Sequence, residues 1–146
     1  MFDQIERRKD ISKTAYKAEV ADLRNQLVVA QQALRHENFP VIVVFAGVDG
    51  AGKHESADLL NAWMDPRWLR THAYGEPSDE ERERPYFWRF WRDLPPNGII
   101  GLYLSAWYSR PLLDRVKERC SETDFRRRIE EINAFERTLI ANGALI

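Results

Sequence analysis

A glycine-rich segment carries the residues whose types and spacing are best suited to chemistry. Gly47 is followed, after four residues, by Gly52 and Lys53, which is the G-x-x-x-x-G-K spacing of a phosphate-binding loop. His54 stands where Ser or Thr usually closes this motif. Glycines permit torsions that let backbone N–H groups point at oxyanions, and a lysine adds positive charge. The segment therefore predicts a phosphate site.

The contacts that we expect with phosphate come from the amides, glycines and basic side chains of this loop: Gly47, Gly50, Ala51, Gly52, Lys53 and His54. Asp49 also lies in the loop, where its carboxylate can hold Mg²⁺, orient an acceptor, or only stabilise the turn. An imidazole is a poor ligand for Mg²⁺, so His54 does not replace the missing hydroxyl as a metal ligand.

The elements around the loop alternate between strand and helix. The apolar run VIVVF at 41–45 predicts a buried parallel strand, and a helix is expected from Gly52 to about Trp63. Further strands are predicted at 69–74 and 99–107, with a last helix after Ser121. Residues 144–146 begin what would be another strand. This order implies a parallel α/β sheet with right-handed crossovers.

A long helix is predicted before the first strand, from Ser12 to about Arg35. Its apolar residues alternate at spacings of four and three and form one stripe: Tyr16, Val20, Leu23, Leu27, Ala30 and Leu34. The stripe can pack on its own domain or partly on another chain. We favour its own domain, because three heptads are few for a coiled coil.

Length, charge, apolar runs and cysteine content limit the classes of protein to which this chain can belong. The length of 146 residues suggests one domain, and 22 basic against 23 acidic residues argue against a general nucleic-acid binder. No apolar run approaches the roughly 18 residues of a membrane span, and the charged N-terminus lacks the apolar region of a signal peptide. With Cys120 as the single cysteine, we expect a cytoplasmic protein without a disulfide framework.

Three segments together resemble the polyphosphate kinase 2 family, whose members use inorganic polyphosphate as phosphoryl donor. They are FAGVDGAGK at 45–53, FWRFWRDLPPNGIIGLY at 87–103 and SAWYSRP at 105–111. The resemblance implies a P-loop kinase-like parallel sheet with flanking helices, in a three-layer α/β/α arrangement. Residues 1–146 would form a single domain, with a helical segment at 1–39 and the α/β core at 40–146. We expect this domain to stop before the last strands and the lid of the family.

The resemblance also implies roles for individual residues. The family's loop reads G-x-D-x-A-G-K without a closing Ser or Thr, so Asp49 would position Mg²⁺ and the acceptor phosphate beside Lys53. Arg89 and Arg110 match family positions, and we expect both to contact phosphate, with Arg110 in the catalytic set. The family's motif D-R-S-W-Y-N-R departs here, because Leu104 stands at the position of its aspartate.

The chain is most similar to the N-terminal half of the fused, two-copy members, which are polyphosphate:AMP phosphotransferases. This implies transfer of a phosphoryl group from polyphosphate to AMP, giving ADP, with Mg²⁺ as cofactor. It also implies a homo-oligomer or a second copy of the domain as partner. Two alternatives stay open: a non-catalytic half that binds phosphate or shapes the assembly, and a P-loop nucleotide kinase.

Overall fold

Three parallel strands form the sheet of this protein, for which a computed structural model describes residues 12–47 and 50–146. The strands are β1 (Val41–Phe45), β2 (Leu69–Ala73) and β3 (Ile100–Leu104), in the order β1-β3-β2. Phe45 and Ala73 both pair with Leu104, so all three strands end at one level. The predicted parallel α/β sheet is therefore confirmed.

Six helices are described around this sheet: α1 (Lys13–Leu34), α2 (Lys53–Trp63), α3 (Asp79–Arg82), α4 (Trp88–Arg92), α5 (Ser109–Val116) and α6 (Glu122–Ala141), with a 3₁₀ turn at Pro66–Trp68. Ser78 and Glu81 form a capping box at the start of α3, and at the predicted start of the last helix the Ser121 hydroxyl accepts from the Asp124 amide. No described helix has the length and apolar character needed to cross a bilayer.

The third strand is shorter than predicted, and a helix follows that the sequence analysis missed. Instead of continuing to 107, β3 ends at Leu104, because Ser105 adopts a left-handed φ of 54° that turns the chain. Helix α5 then begins at Ser109, and Pro111 lies in its first turn, where the missing N–H breaks no helical hydrogen bond. Because Pro111 lies within this short segment, the sequence analysis did not predict a helix there.

The core lies in two layers, one on each face of the sheet. Side chains alternate along β3, so Leu102 and Leu104 pack with Ala57 of α2, whereas Tyr103 packs with Ile132 of α6. Further aromatic groups fill the second layer: Tyr86, Phe87, Phe90, Trp107 and Phe135. Because apolar side chains of β3 point to both faces of the sheet, helix α2 packs on one face and helix α6 on the other, which gives the expected three-layer arrangement.

The last residues form an isolated parallel β-bridge to β1, between Leu145 and Val41, where the sequence predicts the beginning of a further strand. The Ile42 amide donates to the Leu145 carbonyl at 2.7 Å, and the Leu145 amide donates to the Pro40 carbonyl at 3.0 Å. Gly143, with φ of 92°, ends helix α6 and redirects the chain into this position.

Helix α1 packs on the domain only through its C-terminal part. Leu27 and Leu34 join the core layer beneath α2, but Tyr16 and Leu23 are 49% and 45% exposed. The expectation that the apolar stripe packs on its own domain is therefore wrong for the first half of the helix. Only the last turns of this helix lie against the core, so the apolar residues before them do not reach buried side chains of the domain.

A buried amide attaches α1 to the segment that follows α2. The Gln31 side chain donates to the Asp65 carbonyl at 3.0 Å and accepts from the Asp65 amide at 2.8 Å. Gln31 is 2% exposed, so these bonds are shielded from water. The Asp65 amide depends on this side chain, whereas the Asp65 carbonyl also accepts from the Trp68 amide at 3.1 Å.

Replacing Gln31 should destabilise the fold more than replacing its exposed neighbour. Gln31→Ala leaves the Asp65 amide without a partner and removes one of the two bonds to the Asp65 carbonyl, so we expect a loss of about 2 kcal/mol in the free energy of unfolding. Gln32→Ala is the matched control and should change it by less than about 0.5 kcal/mol. Urea unfolding followed by circular dichroism measures both. Equal effects of the two substitutions would contradict the role given to Gln31.

Candidate phosphate-binding site

The loop between β1 and α2 has the backbone shape that its glycines predict. Gly50 and Gly52 both adopt a left-handed φ of 80°, and Gly52 is the N-cap of α2 without a side-chain cap. A Cβ built on either glycine meets no atom within 4 Å, so the requirement for glycine there is torsional rather than steric. The first-turn N–H groups of α2 have no partner within the helix and carry the positive end of its dipole.

Lys53, the first residue of α2, is held against the start of the loop. Its ammonium group donates to the Gly47 carbonyl at 2.8 Å, and the residue is only 9% exposed. A lysine this buried is unusual unless its charge is compensated by neighbouring groups. The contact places the ammonium across the loop, between β1 and the N-terminus of α2.

The other predicted loop residues divide into two groups. Ala51 and His54 are exposed at the start of α2. Asp49, the predicted metal ligand and acceptor-positioning residue, lies outside the described residues together with Val48. Its role stays a prediction.

The end of β3 lies next to the end of β1 but offers no carboxylate. Leu104 pairs with Phe45 across the ladder and is 3% exposed, packed in the core layer that contains Ala57 and Met64. A leucine can neither bind a cation nor accept a proton. Among the described residues, no group of three or more His, Cys, Asp or Glu side chains is placed to hold a metal ion.

Arg110 belongs to a separate cavity of about 170 Å³ on the side of α5 and α6. The cavity is lined by Tyr86, Arg110, Pro111, Arg128 and Glu131, and none of these comes from the glycine-rich loop. Arg128 donates to the Asp114 carboxylate at 2.6 Å, whereas Arg110 has no ion-pair partner within residues 12–47 and 50–146. The structure therefore does not bring Arg110 and Lys53 into one pocket.

Arg89 is packed among protein groups. It donates to the Gly75 carbonyl at 3.2 Å, approaches the Glu81 carboxylate at 3.4 Å and lies 5.0 Å from the centre of the Tyr74 ring. Its Nε is buried without a hydrogen-bond partner among the described residues. These contacts fix the segment that carries the short helices α3 and α4, and the predicted phosphate contact of Arg89 stays a prediction.

The sequence analysis missed the group that anchors the segment after β3. Glu136 of α6 accepts from the Trp107 indole N–H at 2.9 Å, while the Tyr86 hydroxyl donates to the Trp107 carbonyl at 2.8 Å. Burial, and then a hydrogen bond to Glu136, raise the pKa of Tyr108 to about 12. No spacing rule connects 107 with 136, so only the packed structure reveals this pairing.

Comparison with known proteins gives a consistent result. The profile of the polyphosphate kinase 2 family matches residues 10–146. The chain is 44% identical over 147 residues to a polyphosphate:AMP phosphotransferase of Pseudomonas aeruginosa, and 35% identical over 147 residues to one of Pseudomonas syringae pv. tomato. All of this chain is aligned in both cases, but it spans only 30% of the length of either relative.

A solved structure shares the fold. The crystal structure of a polyphosphate kinase 2 from Pseudomonas aeruginosa PA01 superposes with a TM-score of 0.92 at 43% sequence identity. The alignment covers 99% of this chain and 31% of that one.

The torsional demand at Gly52 leads to a stability prediction. Gly52→Ala should lower the free energy of unfolding by about 1 kcal/mol, because an alanine is strained at positive φ. Gly75→Ala is the matched control, since its Cβ also meets no atom within 4 Å and its φ is not positive. Thermal and urea unfolding of both variants provide the measurement. The loop geometry would be contradicted if the two variants were equally stable.

The cavity beside Arg110 leads to a pH prediction. Burial raises the pKa of Tyr86 from 10.0 to about 12, against the opposing charges of Arg110 and Arg128. A raised pKa means that the folded state keeps a proton that the unfolded state loses, so the contribution is complete below pH 10 and lost as pH rises towards 12. Tyr86→Phe should therefore flatten the fall in unfolding free energy over this range. An unchanged slope in urea titrations at several pH values would contradict it.

Proposed function

The chain belongs to the polyphosphate kinase 2 family, and from this premise we propose that it takes part in phosphoryl transfer from inorganic polyphosphate to AMP, forming ADP. Relatives named polyphosphate:AMP phosphotransferase support the reaction, although the chain spans 30% of their length. The observation that carries the proposal is the Lys53 ammonium, held 2.8 Å from the Gly47 carbonyl where β1 enters α2. The chain's contribution is the binding of phosphate at this loop.

The loop can neutralise and align a phosphate chain. Amides of the first turn of α2 donate to phosphate oxygens, and Lys53 supplies the fixed positive charge. Phosphoryl transfer asks for little covalent chemistry from the protein; alignment of donor and acceptor and stabilisation of charge account for most of the catalysis. Exposed Ala51 and His54 leave the loop's outer face accessible to a long, flexible substrate.

The two predicted arginines would act away from the loop. We propose that Arg110, which has no ion-pair partner within the described residues, contacts a more distant phosphate of the chain. Arg89 would do so only if its contacts with Glu81 and Gly75 were exchanged for phosphate. Polyphosphate carries a charge on every unit, so separated cations along its path each add to binding.

Phosphotransferases of this family generally need a divalent metal ion. We propose Mg²⁺, with Asp49 as its one protein carboxylate and with phosphate oxygens and water as the other ligands, a pattern that is usual for Mg²⁺. Leu104 does not fit a second ligand position, because its buried side chain offers no oxygen. When bound, the ion would neutralise charge on the phosphates.

The burial of Leu104 favours a second candidate function. A site with a phosphate loop but without the carboxylate after β3 can bind polyphosphate without transferring a phosphoryl group. In that case a second copy of the domain, in the same polypeptide or in another, would carry out the reaction. We further propose a cytoplasmic location, since a single cysteine suits a reducing compartment.

Polyphosphate binding tests the part that both candidates share. Lys53→Ala should weaken binding of polyphosphate by about tenfold or more, because it removes one charge-assisted contact. Lys117→Ala removes an exposed lysine at the end of α5 and is the matched control. Calorimetric titration at two salt concentrations provides the measurement. Equal affinities of the two variants would overturn the assignment of phosphate binding to this loop.

Turnover separates the candidates. The chain is mixed with AMP, polyphosphate and Mg²⁺, and ADP is followed with and without Lys53→Ala. Formation of ADP that is lost with Lys53→Ala supports phosphoryl transfer by this domain. Binding without ADP supports the non-catalytic function, whereas turnover with ATP in place of polyphosphate would identify a nucleotide kinase.

A further inference from the structure

Helix α5, which carries Arg110, begins without a local cap. Its first residue is Ser109, and the side chain of the preceding Tyr108 makes no capping bond. A helix of only eight residues gains little stability from its own hydrogen bonds, so its position depends on contacts with the rest of the domain. The groups that attach α5 to other elements therefore determine where Arg110 lies.

Both ends of α5 are attached to α6 by polar contacts. At the start, Glu136 accepts from the Trp107 indole N–H at 2.9 Å and is hydrogen-bonded to the Tyr108 hydroxyl. At the other end, Arg128 donates to Asp114 at 2.6 Å. The two α6 residues lie eight positions apart, which is about 12 Å along a helix. Helix α5 is thus held along α6 at two points.

The attachment at Glu136 involves a donor that has no access to water. Trp107 is fully buried, so its indole N–H depends on the Glu136 carboxylate for a hydrogen bond. A buried donor without an acceptor is costly. Loss of the carboxylate therefore favours a shift of the Trp107 ring towards solvent, and the first turn of α5 would shift with it.

The charge of Glu136 is opposite to the charge that a phosphate site needs. A negative side chain close to bound polyphosphate repels it, so removing an acid should strengthen binding if only charge matters. An acid that supports binding of a polyanion must act through the geometry of other groups. The sign of the effect therefore separates a positioning residue from a bystander.

We propose that Glu136 is a positioning residue for polyphosphate binding: by holding Trp107 and Tyr108 it fixes the start of α5 and keeps Arg110 at the cavity of about 170 Å³. This inference rests on the proposed function, in which Arg110 contacts a phosphate of the chain. It adds a residue from a different element, whose effect on Arg110 passes through the two aromatic residues before α5.

Calorimetric titration of the full chain with polyphosphate tests the sign. Glu136→Ala should weaken binding about fivefold, as Arg110→Ala does, because both remove the same charge-assisted contact. Glu131→Ala is the matched control: it removes an exposed acid of α6 that lines the cavity but does not hold the segment after β3. It should strengthen binding slightly. Equal effects of Glu136→Ala and Glu131→Ala would overturn the proposal.

Two readouts do not respond to a simple loss of stability. The slope of log affinity against log salt concentration should become shallower by about 0.7 in Glu136→Ala and in Arg110→Ala alike, because one cation no longer neutralises a phosphate. In an Arg110→Ala background, Glu136→Ala should have no further effect. An unchanged slope in Glu136→Ala, or effects of the two substitutions that add in full, would overturn the proposal.

Two milder variants keep the test decisive if Glu136→Ala does not fold. Glu136→Gln removes the charge but keeps an oxygen that can accept from the indole N–H, so it should retain most of the affinity. Tyr108→Phe removes one donor without a change in charge and should weaken binding about twofold. Weak binding by Glu136→Gln, equal to that of Arg110→Ala, would overturn the proposal, as would unchanged binding by Tyr108→Phe.

Lys53→Ala distinguishes this inference from the proposed function. If Lys53→Ala weakens binding and Glu136→Ala does not, the loop keeps its role and the positioning role is refuted. If Glu136→Ala and Arg110→Ala weaken binding and Lys53→Ala does not, the positioning role is supported and the role of the loop is refuted. A chain that binds no polyphosphate would refute both.

Discussion

The common level at which the three strands end is the constraint on which the rest of the structure depends. Because β1 and β2 both pair in register with β3, the segments after Phe45, Ala73 and Leu104 all leave the sheet at one edge. The glycine-rich loop and the turn at Ser105 therefore leave the sheet side by side. Ligands of parallel α/β sheets gather at this edge for the same reason.

At this edge the protein combines a glycine-rich loop with an apolar strand end. The buried Leu104 strengthens the core layer beneath α2, since it packs with Ala57 and Met64. A carboxylate at the same position would lose that packing and would need a cation or a hydrogen-bond donor as compensation. At this position Leu104 therefore contributes to packing of the core, whereas a metal-dependent transferase would need a charged side chain there.

On the face of the sheet that α6 covers, the aromatic layer holds the segment after β3 in place. Trp107 is bonded at its indole to Glu136 and at its carbonyl to Tyr86, so the approach to α5 is fixed from two sides. Arg110 follows directly and faces a cavity rather than the loop.

The sequence by itself determined the elements whose signals are local. The run VIVVF, the G-x-x-x-x-G-K spacing and Ser121 predicted β1, the loop and the start of α6, because torsions and capping bonds involve neighbours in the chain. Only the tertiary structure decided that Arg110 lies apart from Lys53, that Glu136 anchors Trp107, and that the stripe of α1 divides between core and solvent. Those outcomes depend on which surfaces meet after the sheet has formed, and no spacing along the chain encodes the distances between such surfaces.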